Sequence, residues 1–249
     1  MKTTITYACL NALGSFRQNN EDNFFVQGKL RSGDKDKDIF CQGSFSSGNV
    51  LVGVFDGMGG ESCGEVASHI AAAVMAETHL PEEDPAAEVV EFCKYLNGEV
   101  CSYAVRNGIP SMGSTLCGIW FRRKQCHIFH LGDSRVYLFR KKTLTRLTQD
   151  HSAPAIGTRK GPLLQYLGLP EEVYALNPGQ TELPYRNGDQ LLICSDGLTD
   201  MVTDDEIAEV LGTDEAPEGY VRKLYERAMN NGGRDNITIM LCRVRRSFF

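Results

Sequence analysis

Aspartates recur in this chain where an apolar run stops and a glycine or asparagine begins. The four places are Val54-Phe55-Asp56-Gly57-Met58-Gly59-Gly60, His130-Leu131-Gly132-Asp133-Ser134-Arg135, Ile193-Cys194-Ser195-Asp196-Gly197 and Gly233-Arg234-Asp235-Asn236. Carboxylates fixed at strand ends suit hard cations such as Mg2+ and Mn2+, which prefer carboxylate, carbonyl and water oxygens. Without a Cβ, Gly57 lets its carbonyl approach a cation, and Gly59-Gly60 permits a turn that other residues would strain. One Asp-Gly pair alone reads as a turn signal. Four such places, each preceded by an apolar run, favour a metal site. A fifth segment, Arg17-Gln18-Asn19-Asn20-Glu21-Asp22, sets a guanidinium fork that matches phosphate oxygens beside acids able to hold a cation. Read alone, that segment is a polar loop.

The elements that must position these groups follow from periodicity. Short β-rich runs come first: Ile5 to Leu10, Asn23 to Gln27, Ile39 to Phe45 and Val50 to Phe55, separated by Gly, Ser and Asp clusters. From Gly64 to Leu80 the period becomes helical, through Val66, Ile70 and Val74, and Pro81 stops it. A second helix starts at Asp84-Pro85 and ends at Gly108, with Val89, Phe92, Leu96 and Val100 as its buried stripe. The runs Thr115 to Phe121, Cys126 to Leu131, Val136 to Arg140 and Leu144 to Leu147 read as an antiparallel meander. Gln190 to Cys194 is a further strand, and Thr203-Asp204-Asp205-Glu206 is a capping box that opens a short helix ending at Gly212. A helix from Glu218 to Asn230 and a strand from Ile237 to Val244 complete the order. Strands, two helices, strands, two helices and a last strand suit an α+β fold in which a β-sandwich carries a helical layer outside each sheet.

Composition bounds the function. At 249 residues, 42% hydrophobic and 23% charged, the chain has the make-up of a soluble globular protein, and one domain over 1–249 is expected. No apolar run approaches the roughly 20 residues needed to span a bilayer, and no signal-peptide order opens the chain, so a cytoplasmic location is expected. A formal charge of −6 argues against general attraction to nucleic acid. The nine cysteines form no CxxC pair and read as reduced core thiols. Asp34-Lys35-Asp36-Lys37-Asp38 starts like a calcium loop, but Ile39 and Phe45 stand where such a loop needs glycine and glutamate, so it reads as a charged hairpin tip. The histidines at 69, 79, 127, 130 and 151 show no metal-binding spacing and read as core or surface groups.

Taken in order, Arg17-x-x-Asn20-Glu21-Asp22, Asp56-Gly57-Met58-Gly59-Gly60, Gly113-Ser114-Thr115, Gly132-Asp133-Ser134-Arg135-x-Tyr137, Thr148-x-Asp150-His151-Ser152, Ser195-Asp196-Gly197-Leu198 and Asp235-Asn236-Ile237-Thr238 resemble the motifs of the metal-dependent, type 2C serine/threonine protein phosphatases. The likeness covers about residues 5 to 245 and is greatest to the compact bacterial members. It implies a four-layer α-β-β-α sandwich of two antiparallel sheets with helices outside both. It also implies two Mn2+ or Mg2+ ions: Asp56 would bridge them, Asp196 and Asp235 would complete one side, and the Gly57 carbonyl with Glu21 or Asp22, directly or through water, would serve the other. A water shared by the ions would attack phosphorus in line while Arg17 holds the phosphate oxygens. Asp150 resembles a residue that joins Asp196 around a weaker third ion. Asp133 and Asn236 would act by fixing loops, with Ser134 and Arg135 beside Asp133. Met58 stands where many eukaryotic relatives carry a histidine thought to protonate the leaving oxygen, which methionine cannot do. Between Ser152 and Gly168 the segment is shorter than the family's usual helical flap, which puts the family's substrate choice in question here, and Arg159 and Lys160 are its candidates to meet an anionic substrate. The implied role is dephosphorylation of phosphoserine and phosphothreonine in proteins by a monomeric enzyme that opposes a cognate kinase. The rivals are a silent phosphoprotein-binding relative and a hydrolase of small phosphate esters or nucleic acid.

Overall fold

The structure is a computed structural model describing residues 2–33, 37–46, 48–58, 63–81, 83–155, 160–170 and 175–247. The turn at Gly59-Gly60, the Asp34–Asp36 part of the charged loop and Arg159 lie outside these residues. Strands β1 (Lys2–Ala12), β2 (Asn23–Val26), β3 (Ile39–Ser46), β4 (Val50–Phe55) and the two-residue β5 (Gly57–Met58) come first. Helices α1 (Gly64–Glu77) and α2 (Pro85–Arg106) follow. Next are β6 (Gly113–Ser114), β7 (Leu116–Phe121), β8 (Gln125–Leu131), β9 (Arg135–Arg140), β10 (Thr143–Arg146), β11 (Gly179–Pro184) and β12 (Gln190–Cys194). The last are α3 (Asp196–Thr199), α4 (Asp204–Leu211), α5 (Pro217–Asn230) and β13 (Ile237–Ser247).

Two antiparallel sheets result, one in the order β10-β9-β12-β13-β1-β3 and the other β11-β8-β7-β4-β2, with β5 and β6 pairing separately. Alternation along the strands explains the layering, because successive side chains point to opposite faces. In β1, Ile5, Tyr7 and Cys9 face Phe24, Val52 and Ile119 of the second sheet, while Ala8 and Leu10 face outward. That outward face is covered by α4 and α5 through Ile207, Val210, Val221 and Leu224. The far face of the second sheet, including Phe55, Trp120 and Phe129, is covered by α1 and α2 through Ala71, Met75, Phe92 and Leu96. The expected α-β-β-α sandwich is therefore present. Strands buried on both faces read as continuous apolar runs.

The structure adds the short elements α3, β5 and β6 to those expected and differs from the sequence reading at three larger features. The expected meander is broken: β7 and β8 pair in one sheet and β9 and β10 in the other. The chain crosses between sheets at Gly132-Asp133-Ser134, where Gly132 takes φ +102°, a conformation that favours glycine. Helix α1 stops at Glu77, three residues short of Leu80, because Thr78 turns to an extended backbone and its hydroxyl caps the Val74 carbonyl at 2.7 Å. Strand β11 has no counterpart in the sequence reading. It is an edge strand beside β8, and Gly-Gln-Thr-Glu-Leu-Pro carries no apolar alternation. The capping box is as expected, with Thr203 and Glu206 bonded reciprocally.

Candidate active site

The first and last strands pair along their whole length, down to Ala12 opposite Ile237. The loop leaving β1 thus meets the loop entering β13. Ser15 donates its N–H to the Gly233 carbonyl at 2.7 Å, and Gly14, at φ +78°, passes so close that a Cβ there would lie 2.1 Å from the Asp235 carbonyl oxygen. Asn236 ties the loops together: its Oδ1 accepts from the Glu21 N–H at 2.8 Å, while its Nδ2 donates to the carbonyls of Leu13 and Asn19 at 2.9 and 3.1 Å. From the other sheet, Asp56 follows β4 and is gripped by Thr115, which accepts from the Asp56 N–H at 2.9 Å and donates its own N–H to the Asp56 carbonyl at 2.8 Å. Thr115 in turn shares a 2.8 Å hydroxyl contact with Ser134. Gly57 donates its N–H to the Glu21 carbonyl. Asp196 opens α3 directly after β12.

These strand ends form a cleft of about 310 Å³ whose walls include Glu21, Asp56, Gly57, Asp196 and Asp235, with Arg17 and Met58 at its edge. Arg17 donates to Asp235 at 2.7 Å, and both side chains stay substantially exposed. A larger cavity of about 420 Å³, mostly apolar, is lined by Asp22 together with Asn20, Val66 and Ile70. The sequence left Glu21 and Asp22 as alternatives, and the structure separates them. Glu21 lines the cleft. Asp22 is buried, and its Oδ2 accepts from Ser195 Oγ and Thr238 Oγ1, both at 2.7 Å. Thr238 also accepts from the buried Asn11 amide at 2.7 Å, so this network braces the back of the cleft.

The electrostatics show what the cleft lacks. Burial, reinforced by Asp22, Asp196, Asp133 and Asp235, holds the Asp56 carboxyl well above its ordinary range. Burial also raises Asp22 to about 7 despite its two hydroxyl donors, and burial with the Asp196 charge raises Asp133 to about 6. Carboxylates that oppose one another's ionisation in one cleft are a donor set suited to a hard divalent cation, which would reverse the unfavourable field. Among the described residues no three acidic, histidine or cysteine side chains close into a ready-made cage; the carboxylates face a common space without touching. Protein cations neutralise part of the charge, Arg17 at Asp235 and Lys160 at Asp196.

Asp150, the residue expected beside a third ion, is held by arginines. Its oxygens accept from Arg135 Nε and Nη2 at 3.1 and 2.8 Å and from Arg146 Nη2, so two guanidinium groups occupy it. Beside it His130 and His151 stack at 4.5 Å, with His130 Nε2 donating to the Gln149 carbonyl. The sequence reading missed Asp200. It lies one helical turn after Asp196, a spacing that puts both on one face, and both bind Lys160.

A four-layer sandwich with an acidic cleft where its two sheets meet defines a class, that of the metal-dependent phosphatases. Residues 27–241 match the family described as Protein phosphatase 2C, and the chain belongs to it. It is 29% identical to the serine/threonine protein phosphatase PstP of Mycobacterium tuberculosis over 96% of this chain, and spans 45% of that protein's length, about half. It is 30% identical to the serine/threonine phosphatase stp of Listeria innocua over 92% of this chain and 91% of that protein. Among solved structures, the catalytic domain of PstP in complex with two manganese ions superposes with a TM-score of 0.78 at 28% identity, over 98% of this chain and 100% of that one.

Proposed function

We propose that this chain is a single catalytic domain that hydrolyses phosphoserine and phosphothreonine esters in proteins with two Mn2+ or Mg2+ ions in the acidic cleft. The observation that carries the reading is the convergence of Asp56, Asp196, Asp235 and Glu21, from both sheets and both ends of the chain, on one cleft edged by a guanidinium. Asp56, Asp196 and Asp235, with Glu21 and the Gly57 carbonyl, would hold the ions, and Asp22 would act through Ser195 and Thr238. Bound divalent cations supply an acidified water at neutral pH and offset charge on the phosphoryl oxygens.

The chain's own residues do the rest. Arg17 exchanges its bond with Asp235 for two phosphoryl oxygens, which its planar fork matches. Gly57 keeps its carbonyl free of a side chain at the closest approach of the two loops: a Cβ there would lie 2.5 Å from the Glu21 carbonyl oxygen and 2.2 Å from that of Gly64. Met58 neither donates nor accepts a proton, so no side chain is assigned to protonate the leaving oxygen. Phosphorylated proteins are the substrates, a serine/threonine kinase supplies them, and the enzyme acts as a monomer in the cytoplasm. Among the described residues no helix is long and apolar enough to cross a membrane.

The test is Mn2+-dependent release of phosphate from phosphoserine, phosphothreonine and phosphotyrosine peptides by wild type and Asp196→Asn. Release from the first two, reduced at least about 100-fold by the substitution, is expected for a ligand that acts on charge in the transition state. Equal rates with and without it would remove Asp196 from the site. Hydrolysis of small esters with none of peptides would move the enzyme to another substrate class.

A further inference from the structure

We propose that Lys160 is a tethered cation: its ammonium takes the corner between Asp133, Asp196 and Asp200 and keeps a divalent ion out of it. The inference rests on the metal-dependent reading of the cleft given above. Lys160 Nζ stands 2.6 Å from Asp196 Oδ2, 2.7 Å from Asp200 Oδ1 and 3.9 Å from Asp133 Oδ2. These carboxylates come from two parts of the fold, Asp133 from the crossing between sheets, Asp196 from the start of α3 and Asp200 from the residue that caps its end. An ammonium has three donors and no acceptor; two of them reach Asp196 and Asp200 at hydrogen-bond distance, while Asp133 stands within ion-pair range.

The residues that follow the lysine are held by paired backbone. The Ala153 N–H bonds the Pro162 carbonyl at 2.9 Å, the Leu164 N–H bonds the His151 carbonyl at 2.7 Å, and Ser152 bridges Leu163. Gly161 lies against the Ala153 carbonyl so closely that a Cβ would stand 2.0 Å from it. Asp196 is the shared group, since it walls both the cleft and a smaller hollow lined by Asp133, Asp150 and Lys160. A divalent ion in that hollow would need the oxygens Lys160 already holds, and it would sit within a few ångströms of the ammonium where solvent screening is incomplete. Asp150, on the far wall of the hollow, is already paired with Arg135 and Arg146. The corner is thus supplied with its positive charge by the chain itself.

The experiment counts Mn2+ ions per chain, by isothermal titration and by electron paramagnetic resonance of the free ion. It compares wild type, Lys160→Arg, Lys160→Met, Lys160→Gln and the double variant Lys160→Met/Asp133→Asn, each checked for folding by its melting curve. Two ions are expected in wild type and Lys160→Arg, three in Lys160→Met and Lys160→Gln with the third at least tenfold weaker than the others, and two again in the double variant. Three ions in wild type, or two in both folded neutral variants, would overturn the proposal and leave the two-ion cleft standing. Fewer than two in wild type would overturn the reading of the cleft itself, and the proposal with it.

Discussion

Asn236 offers a direct measure of how firmly the two ends of the chain are joined at the cleft. Its side chain is 4% exposed and makes three hydrogen bonds, accepting from Glu21 N–H and donating to the carbonyls of Leu13 and Asn19. Asn236→Ala removes all three. At about 1 kcal/mol for each, the loss is about 3 kcal/mol. For a chain of this size 1 kcal/mol moves the melting temperature by about 2–4 °C, so a fall of about 6–12 °C is expected in thermal unfolding followed by circular dichroism. Asn236→Asp keeps the acceptor for Glu21 but turns an anionic oxygen toward two carbonyls, so it should destabilise at least as much as alanine. Because Glu21 hangs on this bond, Mn2+ affinity should fall in both variants. A melting temperature within about 2 °C of wild type for Asn236→Ala would refute the reasoning, since it would leave less than one bond's worth of stabilisation to the amide.

Arg17→Ala should raise KM for phosphopeptides more than it lowers kcat, as expected for a group that grips phosphate in ground and transition state alike; an unchanged KM removes Arg17 from binding. Gly57→Ala drives a methyl into the carbonyls of Gly64 and Glu21, both backbone, so it should cost about 1–3 kcal/mol or more, read as a lower urea midpoint; an unshifted midpoint would mean the two loops are not closely packed. A brief iodoacetamide pulse mapped by peptide mass should label Cys41 ahead of Cys93, Cys117 and Cys126. A hydrogen bond from Cys9 lowers the Cys41 thiol, whereas burial raises the others, Cys126 to about 12; labelling of Cys126 at the rate of Cys41 would contradict that ordering.

The strands that carry the cleft were legible because the sandwich buries both of their faces, leaving runs such as Leu191-Leu192-Ile193-Cys194 with no polar interruption. Asp56 and Asp196 were legible because each follows such a run beside a small residue, whereas Asp235 stands ahead of its strand, between the end of α5 and the start of β13. The sheet assignment was not: β8 and β9 are consecutive and equally apolar, and only tertiary pairing shows that the chain changes sheets at Gly132. Edge strand β11 was hidden for the opposite reason, as its identity comes from the partner it lies against and not from its own pattern. Within the site, sequence could name Glu21 and Asp22 but not tell them apart. Their difference is made by Ser195 and Thr238, more than 170 positions away, as |i−j| is 173 and 216 for their bonds to Asp22. The capture of Asp150 by two arginines and of Asp196 by Lys160 was likewise out of reach, because charge spacing along a chain does not say which opposite charges meet.

The place of β13 in its sheet sets when the acidic cleft can exist during synthesis of the chain. It lies between β12 and β1, so until residues 237–247 have left the ribosome that sheet is two fragments, β10-β9-β12 and β1-β3, with no hydrogen-bonding partner between them. Glu21 and Asp235 remain on separate pieces over that interval. A nascent chain can therefore fold its second sheet with α1 and α2 early, yet its cleft stays incomplete until β13 pairs with β1 across nearly the whole sequence, a slow step for any β topology.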